Sequence, residues 1–171
     1  MPNHVTHIFK IQGSEEDLKK FYDDYIGEDD ALDFNKLIPM PTILEGTISG
    51  NMPVMQTDEY KAKANEAIEA TGHCSWYDWR IEHWGTKWNS YDARCENHGD
   101  LIELEFDTAW SCPEPIFKAL SEKFPNLTFE GYALDEAYCF GAVIAIEKGE
   151  FEINYLDVHA GLFEAFSYRF C

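Results

Sequence analysis

The chain is short of positive charge. Its 171 residues hold 13 Lys and Arg against 32 Asp and Glu, a formal net charge of -19 at pH 7. That balance excludes a nucleic-acid binder or a protein held to anionic lipid, since both need a basic surface. Long apolar runs are missing too: nothing approaches the roughly 18 residues of a membrane span. Met1-Pro2-Asn3-His4-Val5 shows no basic stretch followed by an apolar one, so a cytoplasmic location and no membrane partner are expected.

Cysteine is scarce and unpaired. Positions 74, 95, 112, 139 and 171 are widely spaced, odd in number and without a Cys-x-x-Cys, which predicts free thiols rather than a disulfide framework. Cys95-Glu96-Asn97-His98 has a ligand-like spacing, and His73-Cys74 could complete four ligands. The two clear close pairs of a structural zinc site are nevertheless missing, so neither a metal nor a cofactor is expected. His4, His7, His83, His98 and His159 fit no His-x-x-x-His or His-Glu-x-x-His spacing. Asp107 and Asp135-Glu136 could pair as acid and base, but there is no nucleophile or phosphate loop for them to serve. The chain reads as a non-enzyme.

What is present is apolar and aromatic residue, 45% hydrophobic and 15% aromatic, enough to fold one compact domain despite the charge. Residues 4–12 read as a strand, and a helix capped by Ser14 carries the stripe Leu18, Phe21, Tyr22 and Tyr25 up to Gly27. Residues 32–38 read as a short second strand ended by Pro39-Met40-Pro41. Residues 39–98 read as a mostly helical insertion, with helices over 58–71 and within 76–84.

Residues 101–107 alternate cleanly, with Ile102, Leu104 and Phe106 inward and three acids outward. Ser111-Cys112-Pro113-Glu114 reads as a capping box opening a helix that ends near Pro125. A strand resumes over 127–133, residues 139–146 are apolar enough for a strand buried on both faces, and 140–156 form a hairpin turning at Lys148-Gly149. Leu162, Phe163, Phe166 and Tyr168 are expected to pack back onto the body. The order predicts an α+β fold, a ferredoxin-like antiparallel sheet with helices on one face and an extra C-terminal hairpin, in a single domain over 1–171.

Two features stand out from this frame. Four of five tryptophans fall within residues 76–89, where Trp76, Tyr77, Asp78, Trp79, Arg80, Glu82, Trp84, Lys87 and Trp88 could form an aromatic ligand platform. The commoner role for such a cluster is a mini-core tying the insertion to the sheet. The acids, moreover, lie on ordered elements. Glu15, Glu16, Asp23, Asp24, Glu28, Asp29 and Asp30 crowd the first helix and its exit, while Glu103, Glu105 and Asp107 repeat along a strand.

Four segments resemble the YubB-like proteins of phages and plasmids: Met1-Pro2-Asn3-His4-Val5-Thr6, then Phe34-Asn35-Lys36-Leu37-Ile38-Pro39-Met40-Pro41, the tryptophan-rich stretch from Trp76 to Asn89, and Phe106-Asp107-Thr108-Ala109-Trp110-Ser111. The resemblance implies a ferredoxin-like domain and a mobile-element setting, and it implies no catalytic residues. With the acidity, it leads us to expect a partner-binding protein whose ordered carboxylates imitate nucleic-acid phosphates before a basic host protein. A small-ligand module, with the tryptophan-rich insertion capping the sheet, is the alternative, and solubility alone is the simplest account of the charge. The oligomeric state is left open.

Overall fold

The computed structural model describes residues 3–50 and 52–156; Leu162, Phe163, Phe166, Tyr168, His159 and Cys171 lie outside them. β1 (His4–Gln12) points Val5, His7, Phe9 and Ile11 to one side, where all four are buried. On that side lie α1 (Glu15–Tyr25) and α5 (Glu114–Lys123), through Leu18, Phe21 and Tyr25 of the first and Ile116, Phe117 and Leu120 of the second. Period-3.6 stripes on the helices meet period-2 stripes on the strands, giving a two-layer core. Phe21 fixes the meeting of α1 with the sheet, edge-on to both Phe124 and Phe129 at ring distances of 5.6 and 5.5 Å.

Six strands, β1, β2 (Tyr91–Asn97), β3 (Leu101–Ala109), β4 (Thr128–Asp135), β5 (Gly141–Glu147) and β6 (Glu150–Leu156), form one sheet in the order β2-β3-β1-β4-β5-β6. Every neighbouring pair is antiparallel. The first four strands in this order, with one crossover through α1 and another through α5, give the split β-α-β arrangement, and the last hairpin widens the sheet. That hairpin closes through Lys148 and Gly149, both at positive φ (54° and 83°), the turn whose twist matches its strands. Where β1 meets β4, Phe9 lies opposite Gly131, and a Cβ there would come within 2.3 Å of the Phe9 ring.

Several local expectations are corrected. Residues 32–38 contain a helical turn, α2 (Phe34–Leu37), because the Asp33 carboxylate accepts from the Asn35 and Lys36 amides and Phe34 and Leu37 are buried at helical spacing. Only Leu32 keeps a strand-like bridge, to Ile26. Residues 39–98 are helical only in part: 3₁₀ turns at Thr42–Leu44 and Pro53–Gln56 precede α3 (Asp58–Thr71) and α4 (Trp76–Trp84), but Tyr91–Asn97 is the edge strand β2. The β5 strand is open on one face, with Val143 and Ala145 exposed. Ser111 does not cap α5; its hydroxyl instead donates to the Gly85 carbonyl at 2.6 Å, and Pro113 occupies the cap position.

Candidate functional site

The helices cover one side of the sheet, and the other side carries the polar half of each strand. Register places Glu96, Glu103, Lys10, Glu130, Ala145 and Glu152 in one row across all six strands. At ~4.8 Å per strand the row is about 24 Å long, with four carboxylates and one lysine in it. In the next row Arg94, Glu105, Ile8, Tyr132, Val143 and Asn154 set an apolar stripe beside the acids. A third row begins with Tyr91, Asp107, Thr6 and Leu134.

Like charges directly across a ladder are destabilising, and the face shows how that cost is reduced. Glu96 and Glu103 are cross-strand partners, and His98 Nε2 sits 3.7 Å from a carboxylate oxygen of each. Lys10 Nζ is 3.7 Å from Glu103, and Arg94 pairs with Glu96. Asp107 accepts from Thr6 Oγ1 at 2.7 Å and lies 3.9 Å from His4 Nδ1. The side chains of Glu105 and Glu130, by contrast, have no hydrogen bond or ion pair among the described residues.

The acids anticipated as one partner surface are split. Glu103, Glu105 and Asp107 lie on the side of the sheet that no other described element covers, its open face; Glu15, Glu16, Asp23 and Asp24 lie on the solvent side of α1, across the helical layer. Glu28, Asp29 and Asp30 occupy the turn after α1, Asp30 with φ of 60°. Geometry therefore separates two sets that spacing alone could not, because the sheet lies between them. Glu96, Glu130 and Glu152 were missed in the sequence. The strands of Glu130 and Glu152 alternate as β3 does, which was the available signal for those two, whereas β2 around Glu96 does not; only register shows that the three align with Glu103.

The tryptophan-rich segment is used largely inside the molecule. Trp79 and Trp84 are buried, and the Trp84 indole donates to the Ile38 carbonyl at 2.9 Å and meets Phe34 edge-on. Trp76 packs against the core, and its amide donates to Thr47 Oγ1. Arg80 lies over Trp76 and Trp84, 5.1 and 4.6 Å from their ring centres, and burial lowers its pKa. Asp78 accepts from Ser75 and Cys74 at the start of α4, Glu82 faces His73, and Tyr77 is exposed.

Three of the segments that carry the YubB-like resemblance interlock here. Asn89 accepts from the Phe34 amide and donates to Asp33, Thr86 donates to the Ala109 carbonyl, and Ser111 reaches Gly85. Asp135 is likewise structural: it is buried and accepts from the Ala137 and Cys139 amides at 3.1 Å each, which shapes the β4–β5 loop. The four described cysteines are free, and burial pushes the Cys95 and Cys112 thiols up to about 12, so neither is poised as a nucleophile.

A cluster of aromatic residues reaches solvent at the end of the sheet where Tyr91 and Asp107 pair. Trp88 meets Tyr91 edge-on at 5.9 Å, Tyr91 Oη is 2.9 Å from His4 Nδ1, and Lys87 Nζ lies 4.1 Å from the Trp88 ring centre and 5.9 Å from that of Trp110. Burial, then Asp107, Asp92 and Glu136, push the Tyr91 phenol up to about 12. Trp110 is 52% exposed at a φ of 77°. A bulky residue held there stores strain, a feature that clusters at functional positions. Of the tryptophan-rich segment, Trp88 and Lys87 belong to this group, and Trp110 joins them from β3's exit.

Residues 83–162, just under half of the chain, match the family model described as a ferredoxin-like domain in Api92-like protein. The fold is ferredoxin-like. A solved structure, that of protein api92 from Yersinia pseudotuberculosis, is similar over 94% of this chain and 99% of its own, with a TM-score of 0.58 and 8% identity. Identity that low speaks for the shared architecture alone. No curated protein matches the chain.

Proposed function

We propose that this protein is a non-enzymatic binding protein that offers the open face of its sheet to a basic surface on another protein. The observation that carries this reading is the row Glu96, Glu103, Glu130 and Glu152, set at strand spacing beside the apolar stripe of Ile8, Tyr132 and Val143. Carboxylates fixed on strands lose less side-chain entropy on docking than charges on a floppy tail, and complementary charge steers association and selects partners. Trp88, Tyr91 and Trp110 at one end are the residue types that anchor interfaces. The finer proposal follows the YubB-like resemblance: a phage- or plasmid-borne protein in the host cytoplasm that occupies the basic groove of a nucleic-acid-binding or defence protein. It makes no contact with nucleic acid or membrane itself.

Capture from host lysate tests it with two variants of equal charge change, E103K/E130K/E152K on the open face and E15K/E16K/D24K on α1. At low salt the wild type and the α1 variant should retain a basic, nucleic-acid-binding protein that the open-face variant loses, and raised salt should release it. Equal loss from both variants, or no basic protein at low salt, contradicts the proposal.

A second reading is favoured by Trp110 and Trp88: a small-ligand site at the aromatic end, with Lys87 between the indoles. It expects ligand quenching of tryptophan fluorescence that W110A abolishes and salt leaves unchanged.

A further inference from the structure

His73, Glu82 and His83 come together where the link after α3 passes the last turn of α4, and one donor atom from each lies within 4.8 Å of the others. The His73 backbone and the His83 ring are each held by a further contact. Thr71 Oγ1 donates to the Ala67 carbonyl at 2.8 Å and accepts from the His73 amide, which ties the backbone of the link to the end of α3. His83 lies flat on the buried Trp79, with ring centres 4.2 Å apart and planes 5° apart, and its Nδ1 is 2.9 Å from the Trp79 carbonyl.

A carbonyl oxygen only accepts, so neutral His83 carries its proton on Nδ1 and keeps the Nε2 lone pair free. A backbone carbonyl on the far nitrogen is the arrangement that orients metal-bound imidazoles. His73 Nε2 is already 3.3 Å from Glu82 Oε2. Two ligands each about 2.1 Å from one tetrahedral ion lie about 3.4 Å apart, so only His83 must close in.

We infer that His73, Glu82 and His83 form a binding site for a divalent first-row transition ion of the zinc type, clamping the α3–α4 link to the end of α4. Two imidazoles and a carboxylate suit such an ion better than Mg²⁺ or Ca²⁺, which take oxygen ligands. Glu82 is 68% exposed, giving the ion a path from solvent and leaving its remaining positions to water. The site is separate from Glu96, His98 and Glu103 on the open face, a second group of similar composition whose members are engaged by Lys10 and Arg94.

Calorimetric titration of the 171-residue chain with Zn²⁺, and Co²⁺ absorption as a geometry probe, test the inference. One ion per chain should bind and raise the melting temperature. H73A, H83A and E82Q should each weaken binding at least tenfold, whereas E96Q/H98A should leave it unchanged. E82Q alters an exposed side chain, so it remains readable should either histidine variant fail to fold. Imidazole ¹⁵N shifts should show His83 binding through Nε2 with Nδ1 still protonated. Binding that survives E82Q, that disappears in E96Q/H98A, or that does not occur with Zn²⁺ at all overturns the inference.

Discussion

At the scale of single residues the least expected side chain is His7. Pattern reading places it among scattered polar histidines, but strand alternation aims it into the core, stacked on Phe106 at 4.9 Å and edge-on to Phe117. Neither ring nitrogen has a hydrogen-bond partner among the described residues. Burial drives its pKa down to about 3, the backbone near Val5 and Phe106 offsetting only part of the effect. The unfolded chain, with an ordinary histidine near 6.5, takes up the proton first, so this residue's contribution to stability is intact above pH 6.5. It falls by about 1.4 kcal/mol per pH unit as pH drops from there toward 3. Urea midpoints measured against pH should therefore show H7L gaining on wild type below pH 6.5 with that slope; a pH-independent difference would mean the imidazole titrates normally. Gly131 is the other sensitive position. Adding a methyl against the Phe9 ring should cost G131A about 1–3 kcal/mol, read from its denaturation midpoint, and F9L should recover part of the loss.

At the scale of elements, strong periodicity was legible and tertiary anchoring was not. The alternation of β1 and β3, the stripes of α1 and the Lys148-Gly149 turn are local properties, and each element stands where its pattern put it. Residues 32–38 resemble a short strand ended by prolines, but Asp33 decides the matter: its carboxylate serves two amides of α2 and receives Asn89 from 56 positions away. No local pattern announces a partner so distant. D33A should cost about 1–2 kcal/mol, because it removes a helix cap and strands the Asn89 amide; thermal melts of D33A, N89A and the double variant should give less than the sum of the single losses. Full additivity would mean that the two side chains act independently. The edge strand Tyr91–Asn97 reads as part of the 39–98 insertion for a related reason. Its one buried residue, Cys95, is too little alternation to reveal an edge strand.

For the whole molecule, charge was legible as an amount but not as a distribution. Composition gives -19; the sheet then divides the acids between a helical side and an open side, where register, and not sequence spacing, aligns Glu96, Glu103, Glu130 and Glu152. The tryptophans show the opposite case: their density in sequence suggests a surface, yet the burial of Trp79 and Trp84 turns most of that segment into the joint between helices and sheet. No helix among the described residues is long and apolar enough to cross a membrane. The central claim is that the open face is where a cationic partner docks, and the most direct measurement is an amide-resolved NMR titration with an oligo-arginine peptide. The account predicts shifts concentrated on β2, β3, β4 and β6 at the four row carboxylates and fading as salt rises. Shifts centred on α1, or spread evenly over both sides, would contradict it.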